Sequence, residues 1–75
     1  MGSNQSQQTF EAFGNTRHLA IDALELLLLA NFNCVIYTDG QGYLYVRDAH
    51  HSKHYIDIDR IEKGGRTFYR AYVQV

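Results

Sequence analysis

The chain contains no proline, one cysteine and no long apolar run, and each of these features narrows what it can be. Without proline, its turns have to rely on glycine, asparagine and aspartate. A single cysteine, Cys34, excludes an internal disulfide, so the sequence favours a reducing, cytoplasmic setting over a secreted, disulfide-linked scaffold. The longest apolar run, residues 26–30, is far shorter than the roughly 20 residues of a membrane-spanning helix. No transmembrane segment is therefore predicted.

A surplus of positive charge is also missing. Seven basic and eight acidic side chains give a formal net charge of −1. Because non-specific nucleic-acid binding depends on neutralising phosphates, this balance argues against nucleic acid as the main partner. The 75 residues are enough for one domain with a small core. We expect residues 1–9 to form a flexible polar tail and residues 10–75 to form a single domain.

The tail contains a pattern that occurs in lipid-modified proteins. Residues 1–6 match M-G-x-x-x-[ST], in which a myristoyl group is attached to Gly2 after removal of Met1. No basic cluster follows, and a single acyl chain binds membranes only weakly. The simpler interpretation is a polar tail or a cloning remnant.

An apolar helix is predicted for the first half of the domain. Asn15 or Thr16 can cap its first turn, and Asn31 is a suitable residue for its end. Its single polar stripe consists of His18, Asp22 and Glu25. The remaining apolar arc is wider than one sheet face can cover.

Something else must therefore cover part of the helix. One possibility is the segment around Phe10 and Phe13, which we expect to form a short helical turn that folds back on the domain. The other is a second copy of the chain, because Leu29 is an apolar residue at the position where the polar stripe would continue, on the side away from the sheet. On this basis the sequence predicts a homodimer with Leu28 and Leu29 in the interface.

Four strands are predicted after the helix, over residues 33–38, 43–48, 54–59 and 67–75. Glycine-containing turns at 39–42 and 63–66 join the strands on either side of them. Ile61 breaks the alternation of apolar and polar residues, which predicts a bulge or a brief helical turn. Short connections favour an antiparallel meander. The predicted fold is therefore α+β, with one N-terminal helix packed on one face of a four-stranded antiparallel sheet.

Tyrosine and arginine side chains are predicted to share the sheet face that the helix leaves open. Both residue types are enriched where proteins contact proteins, although tyrosine pairs also stabilise half-exposed sheets. We predict a small non-catalytic protein-binding module, such as a regulator, an adaptor or a phage-type inhibitor. Its predicted partner-binding residues are Tyr43, Tyr45, Arg47, Tyr55, Arg70 and Tyr72.

Single-stranded nucleic acid is an alternative partner for this face, because aromatic side chains on a sheet can stack with bases. Asp57 and Asp59 are predicted to lie in the middle of the same face, where they would repel a phosphate backbone. The sequence therefore favours a protein partner over nucleic acid.

A histidine-rich loop raises two further hypotheses. His50, His51 and His54 do not match the spacing of an established zinc site, so neither a metal nor a cofactor is predicted. A small ribonuclease-like toxin could use His54 together with Lys53, Tyr55 and Arg70 for acid–base chemistry. The sequence lacks a nucleophile motif and a phosphate-binding loop, so we rank this hypothesis behind a protein-binding module and ahead of nucleic-acid binding.

Overall fold

A computed structural model describes residues 8–75 as an α+β fold with one helix and two small antiparallel sheets. The elements in chain order are β1 (Thr9–Gly14), α1 (Arg17–Phe32), β2 (Tyr37–Thr38), β3 (Leu44–Arg47), β4 (Lys53–Tyr55), β5 (Asp57–Lys63) and β6 (Arg66–Gln74). The long sheet has the strand order β1-β6-β5, and the short sheet has the order β2-β3-β4. The predicted class is confirmed, whereas the prediction of a single four-stranded sheet is wrong.

The segment around Phe10 and Phe13 is an edge strand, and the expectation of a helical turn there is wrong. β1 pairs antiparallel with β6 along its whole length. Gln8 extends this pairing, since it exchanges backbone hydrogen bonds of 3.0 and 2.9 Å with Val75. Two residues that the sequence assigned to the tail, Gln8 and Thr9, therefore join the sheet. The possible modification at Gly2 lies outside the residues that the structure describes.

The third predicted strand is divided at Ile56. β4 pairs with β3 in the short sheet, and β5 pairs with β6 in the long sheet. Since only Ile56 lies between β4 and β5, one extended segment connects the two sheets. Ile61 lies within the regular pairing of β5, opposite Phe68, so the bulge predicted there is absent from this hairpin. Directly opposite side chains of an antiparallel pair stabilise each other, so Phe68 provides an apolar neighbour for Ile61 and no bulge is needed to bury it.

The helix begins as predicted and ends later than predicted. Thr16 is the N-cap, and its hydroxyl accepts a hydrogen bond of 3.1 Å from the backbone amide of Leu19. The helix passes Asn31 and ends at Phe32, because Asn33 adopts the left-handed conformation (φ 56°). The amide of Asn33 donates to the carbonyl of Leu29, which satisfies one of the last helical acceptors.

The first predicted strand is much shorter in the structure. A carboxylate oxygen of Glu25 accepts a hydrogen bond of 3.1 Å from the backbone amide of Ile36. This contact holds the segment before β2 against the helix. Of the predicted first strand, only Tyr37 and Thr38 pair with β3 in the short sheet. Glu25 therefore stabilises the packing of a loop instead of lying on a solvated stripe.

One core serves both sheets. Its fully buried residues are Ala20, Leu24, Leu28, Val46, Ala71 and Val73. Val46 comes from the short sheet, while Ala71 and Val73 come from the centre of the long sheet. Each large side chain buried in this way contributes about 1.5–3 kcal/mol to folding. The predicted alternation in the last strand is confirmed, since Ala71 and Val73 face the helix, which leaves Arg70 and Tyr72 on the open face.

No helix within residues 8–75 is long and apolar enough to cross a membrane.

Candidate functional site

Three tyrosines lie side by side across the short sheet, on the face that points away from the core. Tyr45 in β3 is paired with Tyr37 in β2 and with Tyr55 in β4. The ring centroids of Tyr37 and Tyr45 are 5.5 Å apart with planes 25° from parallel, and those of Tyr45 and Tyr55 are 5.7 Å apart. We call these three residues the tyrosine ladder. Aromatic pairs at such distances stabilise one another beyond the area that they bury.

Two cations cover the central ring of the ladder. The ammonium of Lys53 lies 4.7 Å from the centroid of the Tyr45 ring, and the guanidinium carbon of Arg47 lies 5.5 Å from it. These distances are typical of cation–π contacts. The guanidinium of Arg47 also donates a hydrogen bond of 2.7 Å to the carbonyl of His51. Within residues 8–75, neither cation has a carboxylate at ion-pair distance.

The edges of the ladder remain open to solvent. Tyr45 is only 9% exposed because its neighbours cover it, whereas Tyr55 is 48% exposed and Tyr43, next to the ladder, is 62% exposed. Exposed phenolic rings held beside a packed one provide a rigid contact area with polar tips. The central side chains of this surface are therefore already ordered within the single chain.

Asp39 holds the hairpin that sets this register. One oxygen of its carboxylate accepts hydrogen bonds of 2.9 Å from the amides of Gln41 and Tyr43, and the other accepts a bond of 3.3 Å from the hydroxyl of Tyr55. The amide of Tyr43 is the main cause of a lowered pKa at Asp39. Desolvation, followed by the charge of Asp39, raises the pKa of Tyr55. Sequence reasoning missed this role, although aspartate at the start of an Asp-Gly turn is a known signal.

The other predicted residues, Arg70 and Tyr72, lie on the open face of the long sheet. The guanidinium of Arg70 contacts carboxylate oxygens of Asp59 at 2.8 Å and Glu11 at 3.4 Å, and it lies 4.1 Å from the centroid of the Tyr72 ring. The hydrogen bond to Asp59 is the main cause of a raised pKa at Arg70. Arg70 is thus held by its own sheet, and less of its bonding capacity is available to a partner.

A cleft of about 340 Å³ joins the two halves of the predicted site. Its lining residues are Lys53, His54, Tyr55, Asp57, Tyr72 and Gln74. The cleft lies where β4 and β5 separate at Ile56, with lining residues from both of these strands and from β6. Five of the six predicted contact residues belong to strands of this surface, and Tyr43 lies directly before β3.

The histidine-rich loop is organised by Asp48. One carboxylate oxygen accepts hydrogen bonds from the amides of His50 (2.8 Å) and Ser52 (3.0 Å), and the other lies 2.8 Å from Nε2 of His54. These contacts close a turn, which gives the loop a structural role. Among residues 8–75, no group of three or more His, Cys, Asp or Glu side chains is arranged to hold a metal ion.

This turn gives the protein a specific sensitivity to acid. The hydrogen bond from His54 is the main cause that lowers the pKa of Asp48 from 3.8 to about 2, and the amides of Ser52 and His50 contribute. Because the folded state holds this proton less tightly, the carboxylate stabilises the fold fully above about pH 4 and loses its effect as the pH falls towards 2. Urea midpoints measured between pH 6 and pH 2 should therefore fall less steeply for Asp48→Asn than for the wild type.

A matched control for this experiment is Asp22→Asn on the helix. Asp22 is exposed, and the structure of residues 8–75 records no hydrogen bond to its side chain. The control should reproduce the wild-type slope. Equal slopes for Asp48→Asn and the wild type would contradict the role of the turn.

Three residues of the ribonuclease hypothesis, Lys53, His54 and Tyr55, line the cleft. His54 is paired with Val46 on the core side of the short sheet, and its Nε2 contacts Asp48 at 2.8 Å instead of a neighbour in the cleft. Arg70, the fourth residue, does not line the cleft and is held by Asp59 and Glu11. The geometry therefore gives this hypothesis no support.

The two predicted dimer residues have different environments. Leu28 is 1% exposed and belongs to the core of the single chain, so it has no surface to offer to a second copy. Leu29 is about half exposed, as are Leu19 and Phe32, and Leu26 is 68% exposed. The homodimer stays a prediction, and its interface would have to use these outer helical residues.

No known protein family matches this chain, and comparisons with curated proteins and with solved structures find no significant match.

Proposed function

We propose that this protein is a small non-catalytic binding module that contacts a partner protein through the open face of its short sheet. The observation that carries the proposal is the tyrosine ladder, in which one packed ring is flanked by two half-exposed rings and covered by two cations. Large aromatic side chains and arginine supply most of the binding energy in protein interfaces. A regulator, an adaptor or a phage-type inhibitor would all use such a surface.

Charge indicates what the partner surface contains. Arg47 and Lys53 lie above the ladder without a carboxylate partner among residues 8–75, so acidic side chains on the partner can approach them. Cations held at an aromatic face lose little further freedom when they bind a carboxylate. We therefore propose a partner surface that combines carboxylates with apolar groups.

The cleft extends this surface towards the long sheet. It places Tyr55 and Tyr72 on the same side of the molecule, with Asp57 between them. A partner side chain that enters the cleft would contact both sheets. In this arrangement Tyr55, which belongs to both the ladder and the cleft, is a central contact, and Tyr43 is an outer one, while Arg70 chiefly keeps Tyr72 in place.

Site-specific photo-crosslinking tests whether this face is the one that binds. A photoreactive phenylalanine analogue is introduced at Tyr43, which is 62% exposed, and in a separate variant at Leu26, which is 68% exposed on the helix. In the native cell, the first variant should give a defined adduct with a different protein, and the second should give no such adduct, only a crosslinked homodimer if the helix face self-associates. An adduct formed only from position 26 would contradict the proposed face.

Alanine variants then measure the contacts with the isolated partner. Tyr55→Ala and Arg47→Ala should each weaken binding by more than about 1 kcal/mol, since both residues would lie at the centre of the interface. The matched control is Arg60→Ala, because Arg60 is an exposed cation paired with Glu62 and lies outside the ladder and the cleft. Calorimetric titration checks the affinities, and a loss no larger than that of the control would remove the proposal.

Single-stranded nucleic acid is the second candidate, and one observation favours it. The sequence predicted that the charge of Asp59 would repel a phosphate backbone. In the structure Asp59 is paired with Arg70, and it lies on β5 away from the ladder. Stacked rings with nearby cations are a known platform for bases. Fluorescence anisotropy with a labelled oligonucleotide separates the candidates, because binding to nucleic acid would weaken steeply with salt.

Two finer expectations belong to the same proposal. A cytoplasmic location agrees with the free thiol of Cys34, which is half-buried and forms no disulfide. A homodimer would cover the exposed leucines of the helix, and it would leave the tyrosine ladder available because the ladder lies on the other side of the sheet.

A further inference from the structure

A second surface lies at the far end of the long sheet. It is a shallow cavity of about 650 Å³, which we call the hairpin cavity. Its lining residues are Phe13, Gly14, Asn15, Leu19, Lys63, Arg66 and Phe68. We call its three large apolar residues, Phe13, Leu19 and Phe68, the floor, and its two cations, Lys63 and Arg66, the rim. From Tyr72, at the cleft of the proposed interface, to Arg66 is roughly 20 Å along β6, at about 3.3 Å per residue. The two sites are therefore separate.

The cavity exists because the β5–β6 hairpin extends beyond the end of β1. Gly14, the last residue of β1, is paired with Tyr69, so Phe68 and Arg66 have no neighbouring strand on that side. The chain instead turns through Asn15 into the helix. The rings of Phe13 and Phe68 meet edge to face at 6.1 Å. Phe13 and Leu19 are both about half exposed, so the floor is apolar and open to solvent.

The rim carries two like charges in an unfavourable arrangement. Lys63 and Arg66 are directly opposite each other across the hairpin, where equal charges destabilise a sheet. In the described part of the chain, residues 8–75, neither has a carboxylate at ion-pair distance. By contrast, Arg60 on the same hairpin is paired with Glu62 at 2.7 Å. An anion bound between the two rim cations would offset their repulsion.

We propose that the hairpin cavity binds an acidic, apolar peptide segment. In this arrangement an aromatic or aliphatic side chain of the peptide packs on Phe13, Leu19 and Phe68, and flanking carboxylates contact Lys63 and Arg66. The inference does not depend on the function of the tyrosine ladder. A lipid surface fits less well, because the turn at the tip of the hairpin, Gly64–Gly65, has no apolar side chain to insert, and the apolar residues line a cavity.

The test is a titration of ¹⁵N-labelled protein with three six-residue probe peptides, followed by amide chemical shifts. The first peptide is Glu-Asp-Phe-Leu-Asp-Glu, the second replaces its acids by lysine and arginine, and the third replaces its Phe-Leu pair by two serines. Only the first should shift the amides of residues 13–15 and 63–68. The other two separate the contribution of charge from that of the apolar anchor.

A matched pair of charge reversals tests the rim. Arg66→Glu should weaken binding of the first peptide about tenfold at low salt, with a smaller difference at high salt because exposed charges are screened. Arg60→Glu makes the same charge change on the same hairpin outside the cavity, and its affinity should stay within about twofold of the wild type. Arg66→Glu should also raise the melting temperature, since it replaces a repulsive pair by an attractive one. Weaker binding by a more stable protein excludes unfolding as the cause.

A matched pair of polar substitutions tests the floor. Phe13→Ser should abolish the shifts caused by the first peptide, and Leu26→Ser, an exposed apolar residue outside the cavity, should leave them unchanged. The proposal is overturned if the peptide causes no shifts at these amides or if its basic counterpart binds equally well. It is also overturned if only phosphatidylserine vesicles bind with a dependence on Arg66, which would assign the site to a lipid surface.

Discussion

Gly14→Ala should lower the free energy of unfolding by about 3 kcal/mol or more, at the upper end of the cost of overpacking a core. A Cβ atom at this position would lie 2.4 Å from the backbone nitrogen of Ala20 and 2.6 Å from the backbone carbonyl carbon of Leu19. Backbone atoms of a helix cannot rotate away as a side chain can, so α1 would have to move off β1. A domain of this size has little stability in reserve, so a large fraction of the variant should be unfolded.

Gly40→Ala is the matched control for this prediction. A Cβ at Gly40 meets nothing within 4 Å, and its stability should stay within about 0.5 kcal/mol of the wild type. Urea unfolding followed by far-ultraviolet circular dichroism measures both variants. Thermal unfolding should agree, since about 1 kcal/mol corresponds to roughly 4–8 °C in a domain of this length. Similar stabilities for the two variants would show that β1 does not pack against the start of α1 as described.

Leu24→Ala should cost about 2–5 kcal/mol, the usual range for removing a large buried side chain. Leu24 is fully buried at the centre of the core. Leu26→Ala, two residues along the same helix, removes a side chain that is 68% exposed, and alanine favours a helix at least as well as leucine. Its free energy of unfolding should change by less than about 0.5 kcal/mol. The pair separates core packing from helix propensity.

The same pair also tests the homodimer. If a second copy covers the outer face of the helix, the wild type should be stabilised by association and Leu26→Ala should not. The difference between their melting temperatures should then be larger at high protein concentration than at low concentration. Light scattering of both proteins at micromolar concentration measures the association directly. If Leu26→Ala were as unstable as Leu24→Ala at every concentration, the assignment of the helix faces would be wrong.

The candidate interface is a consequence of how the short sheet is built. Asp39 fixes the hairpin, the hairpin sets the register of β2 and β3, and that register places three tyrosines in a row. The core side of the same strand supplies Val46 to the core. The proposed binding residues thus lie on strands whose other face is held by the core, an arrangement that would keep the ordering cost of binding low.

The sequence alone determined the features that depend on neighbours along the chain. Alternation of side chains in the last strand correctly predicted that Ala71 and Val73 face the core and that Arg70 and Tyr72 face away. Residues that favour caps predicted that the helix starts at Asn15 or Thr16, and Thr16 is the N-cap. Periods of 2.0 and 3.6 residues are local properties, and they can be recognised without knowing the partner of an element.

Only the tertiary structure decided the features that depend on residues far apart in the chain. β1 is a strand because Thr9 meets Gln74, and its six residues are too few to be distinguished from a helical turn by pattern. The division at Ile56, the contact from Glu25 to Ile36 and the cations above Tyr45 all arise from packing between elements. The repulsion between Lys63 and Arg66 likewise depends on register. Burial and strand pairing depend on contacts across the whole chain. A local pattern could therefore predict which side chains face away from the core, but not which of them come together in the tyrosine ladder, the cleft or the hairpin cavity.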